Sequence, residues 1–317
     1  MKRESRLRMA HIELSGGGYT AEIDTEHGAN CVSLRHPATG ARILRELPAE
    51  GEADNPYLYG MPILFPVNRI SDGRFHFEGR EYRFPVNEPK TGCHLHGTLH
   101  RTPFVVTERT QDSLTAEYSA DGEHPYLSFP HAFTLRLTYR LMKDGLHLTV
   151  ALTNRSGMDM PYFLGFHTTF NLALTPKTDP GSVCALVQAD WEIERDMTTY
   201  LPTGNLPKFD AISSALTEGT WHPTDRPISR HYHACGVGLM TLTDPENHLR
   251  VVYRNDSAYG FRLIYGDGNS FLCMEPQTCM ANAANAPFPR AETGFAFLRP
   301  NETKLFSSHI GLEETGI

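Results

Sequence analysis

The feature of this 317-residue chain that most restricts its fold is a regular alternation of apolar and polar side chains. The alternation is clearest in residues 131–154, where large apolar side chains occupy every second position on both sides of Lys143-Asp144-Gly145. Side chains of a β-strand point alternately to its two faces, so this period indicates strands with one buried and one exposed face. Residues 131–154 are therefore predicted to form a β-hairpin that turns at Lys143-Asp144-Gly145.

Similar patterns occur along most of the chain. An apolar spacing of three to four residues does not persist for three turns anywhere, so only a short helix near residues 210–216 is expected. The chain is predicted to be all-β, a large antiparallel β-sandwich, with residues 1–10 as a flexible lead-in and residues 11–317 as a single domain. Further hairpins are predicted at 73–84 and 238–253, and further strands at 19–23, 30–34, 259–265, 294–298 and 304–310.

Charge and composition restrict the class of partner. The net charge of -8 and the isoelectric point of about 6.0 argue against a nucleic-acid partner and suit a neutral small-molecule ligand. The sequence lacks a run of about eighteen apolar residues, and its first eight residues lack the apolar segment of a signal peptide. We therefore expect a cytoplasmic protein that binds neither membranes nor nucleic acids. The six cysteines form no Cys-x-x-Cys pair and are interpreted as packing residues.

Three stretches place ionisable side chains among glycines, prolines and apolar residues. The first comprises Pro66–Ile70 and His94–Gly97, the second surrounds His167, and the third surrounds Glu275. An imidazole such as that of His167 can exchange a proton near neutral pH. A single histidine among apolar neighbours is nevertheless more often a core residue that is hydrogen-bonded to a backbone carbonyl. The presence of the other two stretches favours acid-base chemistry.

Glu275 and the two early histidines each allow a structural interpretation as well. A carboxylate in an apolar strand is partly desolvated, which raises its affinity for a proton, but it could also be a strand-edge glutamate in a salt bridge. Pro276 is expected to end strand pairing directly after Glu275. His94 and His96 would point the same way on a strand, as metal ligands require. Arg101 stands where a cupin-like site would need its next ligand, so no metal site is expected.

Five motifs occur in order along the chain: Asn68-Arg-Ile70, Leu95-His-Gly97, His167-Thr-Thr-Phe-Asn-Leu172, Leu201-Pro-Thr-Gly204, and Glu275-Pro-Gln277 with Asn285-Ala-Pro287. Together they resemble the aldose 1-epimerase (galactose mutarotase) family. The similarity extends from about residue 15 to residue 312, and it implies the galactose mutarotase-like form of the antiparallel sandwich. It also implies an enzyme without a cofactor that interconverts the α and β anomers of a free aldose.

The resemblance also implies a role for each matching side chain. Glu275 would be the general base that takes the proton from the C1 hydroxyl, and His167 the general acid that protonates the ring oxygen. His96 would stabilise the charge that builds on the sugar, and Arg69 would hold its hydroxyls. Opening a hemiacetal requires one proton removed and one delivered, and the proton affinities of the two groups are expected to be drawn toward each other. Further contacts to a monosaccharide are expected from Asn68, His94, Gln277 and His231, with a monomer or homodimer as the assembly.

Two regions depart from the family pattern. After Gly97 the chain reads Thr98-Leu-His-Arg-Thr-Pro-Phe104 instead of a run richer in glycine. The segment Ile228–His233 contains no aspartate, although family members commonly carry a substrate-binding aspartate there. His231 or Arg230 would have to replace it. The resemblance therefore leaves the preference for galactose or glucose open.

Other functions are compatible with the same residues. A sugar-binding or sensing protein on this scaffold would need no matched acid and base, and the presence of Glu275 and His167 favours an enzyme. A phosphosugar mutarotase would need a basic cluster, for which the candidates are Arg69, Arg74, Arg101 and Arg230. A glycoside hydrolase is disfavoured because no second carboxylate has a setting like that of Glu275. Phe166, Phe170 and Phe288 could contact a sugar ring or pack in the core.

Overall fold

A computed structural model describes residues 11–48 and 55–316 and confirms the all-β class. The predicted lead-in at residues 1–10 lies outside these ranges. One α-helix, α1 (Ala211–Glu218), lies within them. The strands are β1 (His11–Gly16), β2 (Tyr19–Asp24), β3 (Asn30–His36), β4 (Ala41–Arg42), β5 (Ile63–Leu64), β6 (Arg69–Ser71), β7 (Arg74–Phe77), β8 (Arg80–Arg83), β9 (Cys93–Leu95), β10 (Val105–Arg109), β11 (Ser113–Ala120), β12 (Phe133–Met142), β13 (Gly145–Asn154), β14 (Met160–Tyr162), β15 (Gly165–Phe166), β16 (Thr169–Asn171), β17 (Cys184–Val187), β18 (Trp191–Glu192), β19 (Ile228–His233), β20 (Gly238–Asp244), β21 (Leu249–Asn255), β22 (Phe261–Gly266), β23 (Phe271–Gln277), β24 (Ala296–Leu298) and β25 (Thr303–Glu314).

Two large antiparallel sheets dominate the architecture. The first has eight strands in the order β10-β11-β12-β13-β25-β21-β20-β17. The second has seven, in the order β18-β19-β22-β23-β15-β5, with β16 also paired to β23. A four-stranded sheet, β1-β2-β3-β4, and the two-stranded pairs β14-β24, β6-β9 and β7-β8 complete the fold.

The predicted hairpins are confirmed, and their registers follow the apolar alternation. In β12 and β13, Tyr139 lies opposite Leu148, and Leu141 lies opposite Leu146. All four side chains are buried, while Arg140 between them is exposed. The hairpins at 73–84 and 238–253 appear as β7-β8 and β20-β21. Alternation thus predicts which face of each hairpin enters the core.

The two large sheets pack face to face to form a sandwich. The ring of Phe170 in β16 lies 5.6 Å from the ring of Tyr253 in β21. The hydroxyls of Thr168 and Tyr253 lie 3.0 Å apart, so a buried polar contact also joins the layers. The four-stranded sheet is tied in separately, because the Tyr139 hydroxyl donates to the Ala29 carbonyl at 2.8 Å. Strands of the seven-stranded sheet are therefore covered by other layers, and all residues of β23 are buried.

The predicted short helix is also confirmed. Asp210 caps α1, since its side chain accepts hydrogen bonds from the backbone N–H groups of Ile212 at 3.0 Å and Ser213 at 2.9 Å. Gly219 ends the helix in the left-handed conformation that glycine adopts readily. No helix within the described ranges is long and apolar enough to span a membrane.

Candidate active site

The candidate site is a cavity of about 550 Å³ over the seven-stranded sheet, a volume within the range of roughly 300–1,000 Å³ typical of small-molecule sites. It brings together side chains from all three stretches that the sequence singles out. Of the predicted residues, Asn68, Arg69, His96, His167 and Glu275 line it. Its other lining residues are Asn55, Tyr57, Leu58, Glu88, Lys90, Thr91, Leu95, Arg195, Met197, Thr198, Tyr200, Ser229, Leu263 and Tyr265.

The backbone of β23 explains where His167 lies. Met274 donates its N–H to the Thr168 carbonyl at 2.9 Å, and Thr278 donates to the Leu164 carbonyl at 2.8 Å. Pro276 stands between these two donors and has no N–H to offer. The neighbouring segment is correspondingly interrupted between β15 and β16, and His167 occupies the interruption. The missing donor therefore coincides with the point where the side chain of His167 leaves regular pairing.

The prediction that Pro276 ends strand pairing is wrong. β23 continues to Gln277, and Pro276 keeps its place opposite Arg262 of β22. A proline removes only one hydrogen-bond donor, and here that donor falls on the side of the interrupted segment, so pairing with β22 persists. Glu275 is accordingly an interior residue of a central strand and not a residue at its end.

Glu275 and His167 are in contact inside the cavity. Oε1 of Glu275 lies 3.2 Å from Nε2 of His167, and their side chains are only 1% and 9% exposed. The alignment of the two groups is too poor for a hydrogen bond, and Oε1 has no other hydrogen-bond partner in the described chain. Both atoms thus retain capacity to bind a ligand that enters the cavity. The two oxygens of a hemiacetal are bonded to the same carbon, so an acid and a base that are neighbours can each reach one of them.

Burial shifts the proton affinities of the pair in opposite directions. Desolvation raises the pKa of Glu275 to about 8, against smaller opposing effects of the Gln277 amide, Arg195 and Arg69. Desolvation lowers the pKa of His167 to about 3, because burial penalises the imidazolium. The raised pKa of Glu275 follows the expectation. The two pKa values do more than approach each other, however, because the pKa of Glu275 lies above that of His167. Near neutral pH the pair therefore holds one proton, on the carboxyl group.

His96 presents a fixed face to the cavity. The backbone N–H of Asn68 donates to its Nδ1 at 3.2 Å, which assigns the proton of the neutral ring to Nε2. Burial and the neighbouring His167 hold the pKa of His96 well below its ordinary value, so the ring stays neutral. The ring of Tyr57 covers it with centroids 4.9 Å apart. His96 can therefore act as a neutral N–H donor toward a ligand.

A chain of amides orients Glu275 from behind. Asn68 donates its side-chain N–H to Oε1 of Gln277 at 3.1 Å, and Gln277 donates in turn to Oε2 of Glu275 at 3.2 Å. Gln277 is fully buried and does not line the cavity. Gln277 therefore positions the carboxyl group of Glu275. It does not reach the cavity, where a direct contact with the sugar was expected.

Arg69 is held rigidly at one side of the cavity. Its guanidinium donates to both carboxylate oxygens of Glu88 at 2.6 and 2.7 Å. It also lies over the ring of Tyr200, with Cζ 4.5 Å from the ring centroid. A bidentate ion pair and a stacked ring leave the guanidinium few alternative positions.

Two predicted substrate contacts do not reach the cavity. His94 is buried, and its Nδ1 lies 2.7 Å from the Pro85 carbonyl. His231 is fully buried between strands β18 and β22 of the central sheet. His96 lies just past the end of β9 and has a left-handed backbone with φ of 60°, so the strand alternation that would point His94 and His96 the same way is broken there. Arg230 does not take the place of the missing aspartate either, since it pairs with Glu192 and Asp210 outside the cavity.

The aromatic lining also differs from the expectation. Phe166 and Phe170 are fully buried in the core, and Phe288 packs against the core without lining the cavity. The apolar faces that a sugar ring would meet belong instead to Tyr57, Tyr200 and Tyr265. These tyrosines lie outside the recognisable motifs, so their positions could not be inferred from spacing.

Arg195 is the lining residue that sequence reasoning missed most clearly. It is 8% exposed and donates to the Ser229 hydroxyl at 3.0 Å. The stretch Glu192–Asp196 gives no sign that an arginine in it turns inward. A usable signal was the absence of an aspartate from Ile228–His233, a segment in which one was expected.

The residues that could hold a metal ion in the cavity are His167, Glu275 and Cys273, whose ligand atoms lie within 4.8 Å of one another. The Cys273 thiol contacts the Thr169 hydroxyl at 3.3 Å. Burial raises its pKa well above the ordinary value, so it is held as a thiol, which is a weak ligand. Nδ1 of His94 contacts the Pro85 carbonyl instead, so His94 and His96 do not present their rings to one shared site.

Gly97, next to His96, offers a test of how tightly the cavity floor is packed. Its φ is +64°, and a Cβ there would overlap the Phe65 carbonyl oxygen, whereas Gly92 at φ +69° has open space around it. Both alanine variants pay for the left-handed conformation, but only Gly97→Ala must also displace backbone. Gly97→Ala should therefore reduce the free energy of unfolding by about 1–3 kcal/mol more than Gly92→Ala in urea denaturation. Equal losses would show that the Phe65 segment gives way freely.

Comparison with known proteins connects this geometry to a family. A family model described as aldose 1-epimerase matches residues 10–310. The uncharacterized protein YihR of Escherichia coli K12 is 24% identical over 281 residues, covering 87% of this chain and 86% of that protein. The galactose mutarotase of Rattus norvegicus is 30% identical over 191 residues, which is 58% of this chain and 50% of the rat protein. That alignment spans about half the length of the relative.

Solved structures agree with the fold. A galactose mutarotase-like protein from Clostridium acetobutylicum superimposes with a TM-score of 0.91 at 28% identity, covering 96% of this chain and 95% of that one. A galactose 1-epimerase from Lactobacillus acidophilus gives a TM-score of 0.71 at 15% identity, covering 100% and 98%. These similarities confirm the predicted galactose mutarotase-like sandwich.

Proposed function

The chain belongs to the aldose 1-epimerase family, and we propose that it is a cofactor-independent mutarotase that interconverts the α and β anomers of an aldose. The observation that carries the proposal is the contact of Glu275 with His167 in a cavity of monosaccharide scale. The two residues lie more than a hundred positions apart in the sequence, and together they hold one proton. Ring opening requires a group that accepts a proton and a group that donates one.

In the proposed mechanism a single proton moves back and forth across the pair. With a cyclic sugar bound, the Glu275 carboxylate accepts the proton of the C1 hydroxyl, while the His167 imidazolium gives a proton to the ring oxygen. The bond from C1 to the ring oxygen breaks and a C1 carbonyl forms. Glu275 is then protonated and His167 neutral, which is also the state that burial of the two side chains favours. Rotation about the bond between C1 and C2 and the reverse steps close the ring on the other face.

Two neighbouring residues support these steps. His96, with its proton on Nε2, is proposed to donate to a sugar oxygen on which charge develops. Arg69, fixed by Glu88 and Tyr200, is proposed to donate to sugar hydroxyls and so to orient the ring. The residues that hold these groups, Gln277 among them, act through position and not through contact with the sugar.

Polarimetry and NMR exchange spectroscopy of anomeric protons test the proposal. A panel of neutral and charged aldoses, each started as one pure anomer, should include at least one whose equilibration the protein accelerates above the spontaneous rate. Addition of a chelator should leave that acceleration unchanged. If sugars bind without acceleration, the protein is a carbohydrate-binding protein on this scaffold and the proposal is wrong.

The pH dependence of catalysis follows from the one-proton state of the pair. Above about pH 8 the Glu275 carboxyl loses its proton while His167 is already neutral, so the pair keeps a base and loses its acid. The value of kcat/KM should therefore be level through neutral pH and fall about tenfold per pH unit at higher pH. Rates corrected for spontaneous and buffer catalysis check this. A rate that instead falls from pH 8 toward pH 6 would contradict the assignment.

A further inference from the structure

We propose that the aldose carries an oxyanion, as a carboxylate, phosphate or sulfonate group, and that Arg195 binds it. The inference rests on the proposed function and deepens it by naming the substrate class. It starts from the position of Arg195, a guanidinium in the cavity wall that has no acidic partner among the described residues.

Arg195 forms no salt bridge with a described residue, although the more distant carboxyl groups of Glu275 and Glu192 interact with its charge. Its side chain makes one hydrogen bond within the described chain, from Nη2 to the Ser229 hydroxyl at 3.0 Å, although a guanidinium has five N–H donors. The ring of Tyr200 lies 5.9 Å from its Cζ, so one face is covered by an aromatic side chain. Burial lowers the pKa of Arg195 to about 10, which still leaves it charged at neutral pH.

Two other partly buried arginines near the cavity are neutralised by carboxylates. Arg69 is paired with Glu88, and Arg230 is paired with both Glu192 and Asp210. Arg45 has no carboxylate within salt-bridge distance among the described residues, but it stacks on Tyr59 and Phe271 and does not line the cavity. Arg262 also lacks a carboxylate within salt-bridge distance, but it is sealed in the core and does not line the cavity. Of the two arginines that line the cavity, Arg69 has a carboxylate partner and Arg195 has none among the described residues. Charged groups out of water are stable when paired, so its partner is expected to arrive with the ligand.

The charge balance of the lining supports an anion. Its described cations are Arg69, Lys90 and Arg195, and its described acids are Glu88 and Glu275. Glu275 is protonated at neutral pH, because burial raises its pKa to about 8. The described lining is therefore cationic, although the whole chain carries a net charge of -8. A cationic cavity on an anionic protein attracts a small anion selectively.

The test uses sugar pairs that differ only in the group on C6. A neutral hexose is compared with the corresponding hexuronic acid, hexose 6-phosphate and 6-sulfohexose, and the catalysed mutarotation of each is measured by NMR exchange spectroscopy. A hydrogen bond between charged partners predicts kcat/KM about ten- to a hundredfold higher for at least one anion than for the neutral hexose. The arm with the largest value identifies the oxyanion.

Variants assign the preference to Arg195. Arg195→Gln should bring the ratio of kcat/KM for anionic over neutral sugar close to one. Ser229→Asp should do the same with the arginine still present, since it places a carboxylate beside the guanidinium. This second variant also covers the case in which Arg195→Gln does not fold. Arg230→Gln is the matched control. Arg230 follows Ser229 in β19 but lies outside the cavity, so this variant should keep the anion preference.

The outcomes separate this inference from the proposed function. Acceleration of neutral sugars with no anion preference overturns the role of Arg195 and leaves the mutarotase proposal intact. If the protein accelerates the mutarotation of no sugar, the mutarotase proposal fails. Ligand-induced shifts in melting temperature then decide whether Arg195 forms an anion site. A larger shift in melting temperature with an anionic sugar than with its neutral parent would support the anion site, and equal shifts would overturn it.

Discussion

Glu275→Gln should lower kcat/KM for mutarotation by at least about 10² while a sugar still binds in the cavity. The amide keeps the size of the side chain and its contact with Gln277, but it can neither accept nor hold the proton that ring opening transfers. His167→Asn should have nearly the same effect, because it removes the other half of the pair. Anomeric exchange rates give the loss in activity, and calorimetry with the substrate gives the retained binding.

Exposed residues of the same types provide matched controls. Glu313→Gln and His124→Asn make the same chemical changes at exposed positions away from the cavity, and both should keep the wild-type rate. The double variant Glu275→Gln with His167→Asn should lose little more than either single variant, because the two residues act as one unit. If either single variant kept most of the wild-type rate, the role of that residue would be wrong.

The same Glu275→Gln change should stabilise the fold, and increasingly so at higher pH. Burial raises the pKa of Glu275 from 4.5 to about 8, so the native state resists ionisation that the unfolded chain undergoes freely. Below pH 4.5 the Glu275 carboxyl is protonated in both the native and the unfolded state, so it adds no pH dependence to the free energy of unfolding. As pH rises from 4.5 toward 8 the carboxyl ionises only in the unfolded chain, and the native state loses stability relative to it. Glutamine cannot ionise and avoids this loss. The variant should therefore gain roughly 3–4 kcal/mol relative to wild type between about pH 5 and pH 8.

Urea denaturation of both proteins at several pH values measures this difference. Other titrating groups are common to both chains, so their contributions largely cancel in the comparison. Glu313→Gln, the same substitution at an exposed position, is the matched control for the chemical change itself. A flat difference between wild type and Glu275→Gln would mean that the Glu275 carboxyl is ionised in the native state throughout the range.

The strands could be predicted because their evidence is local. Each alternating run between turns reports which face is buried, and residues 131–154 formed the predicted hairpin with the predicted turn. The motifs likewise identified Glu275, His167, His96, Asn68 and Arg69, all of which line one cavity.

The rest of the site depends on packing between distant segments. His94 and His96 are two residues apart, yet the left-handed backbone at His96 separates their side chains. Gln277 shares a motif with Glu275 but lies behind it in the core. Arg195 turns inward, where it contacts Ser229 and Tyr200, and neither contact can be recognised from the spacing of residues in the sequence. Side-chain direction at loops, and not strand content, was the information that was missing.

The spacing of Glu275 and His167 is set by the pairing of β23 with its neighbour, whereas Arg195, Lys90 and Tyr200 reach the cavity from irregular segments between strands. The reactive centre therefore lies beside paired strands, and the proposed ligand-contacting groups lie on connecting segments, which generally tolerate insertion and exchange. Descendants of one ancestor could acquire new sugars by altering the connecting segments alone, without rebuilding the proton-transfer apparatus. Divergence of selectivity would then be expected to outpace divergence of the reaction.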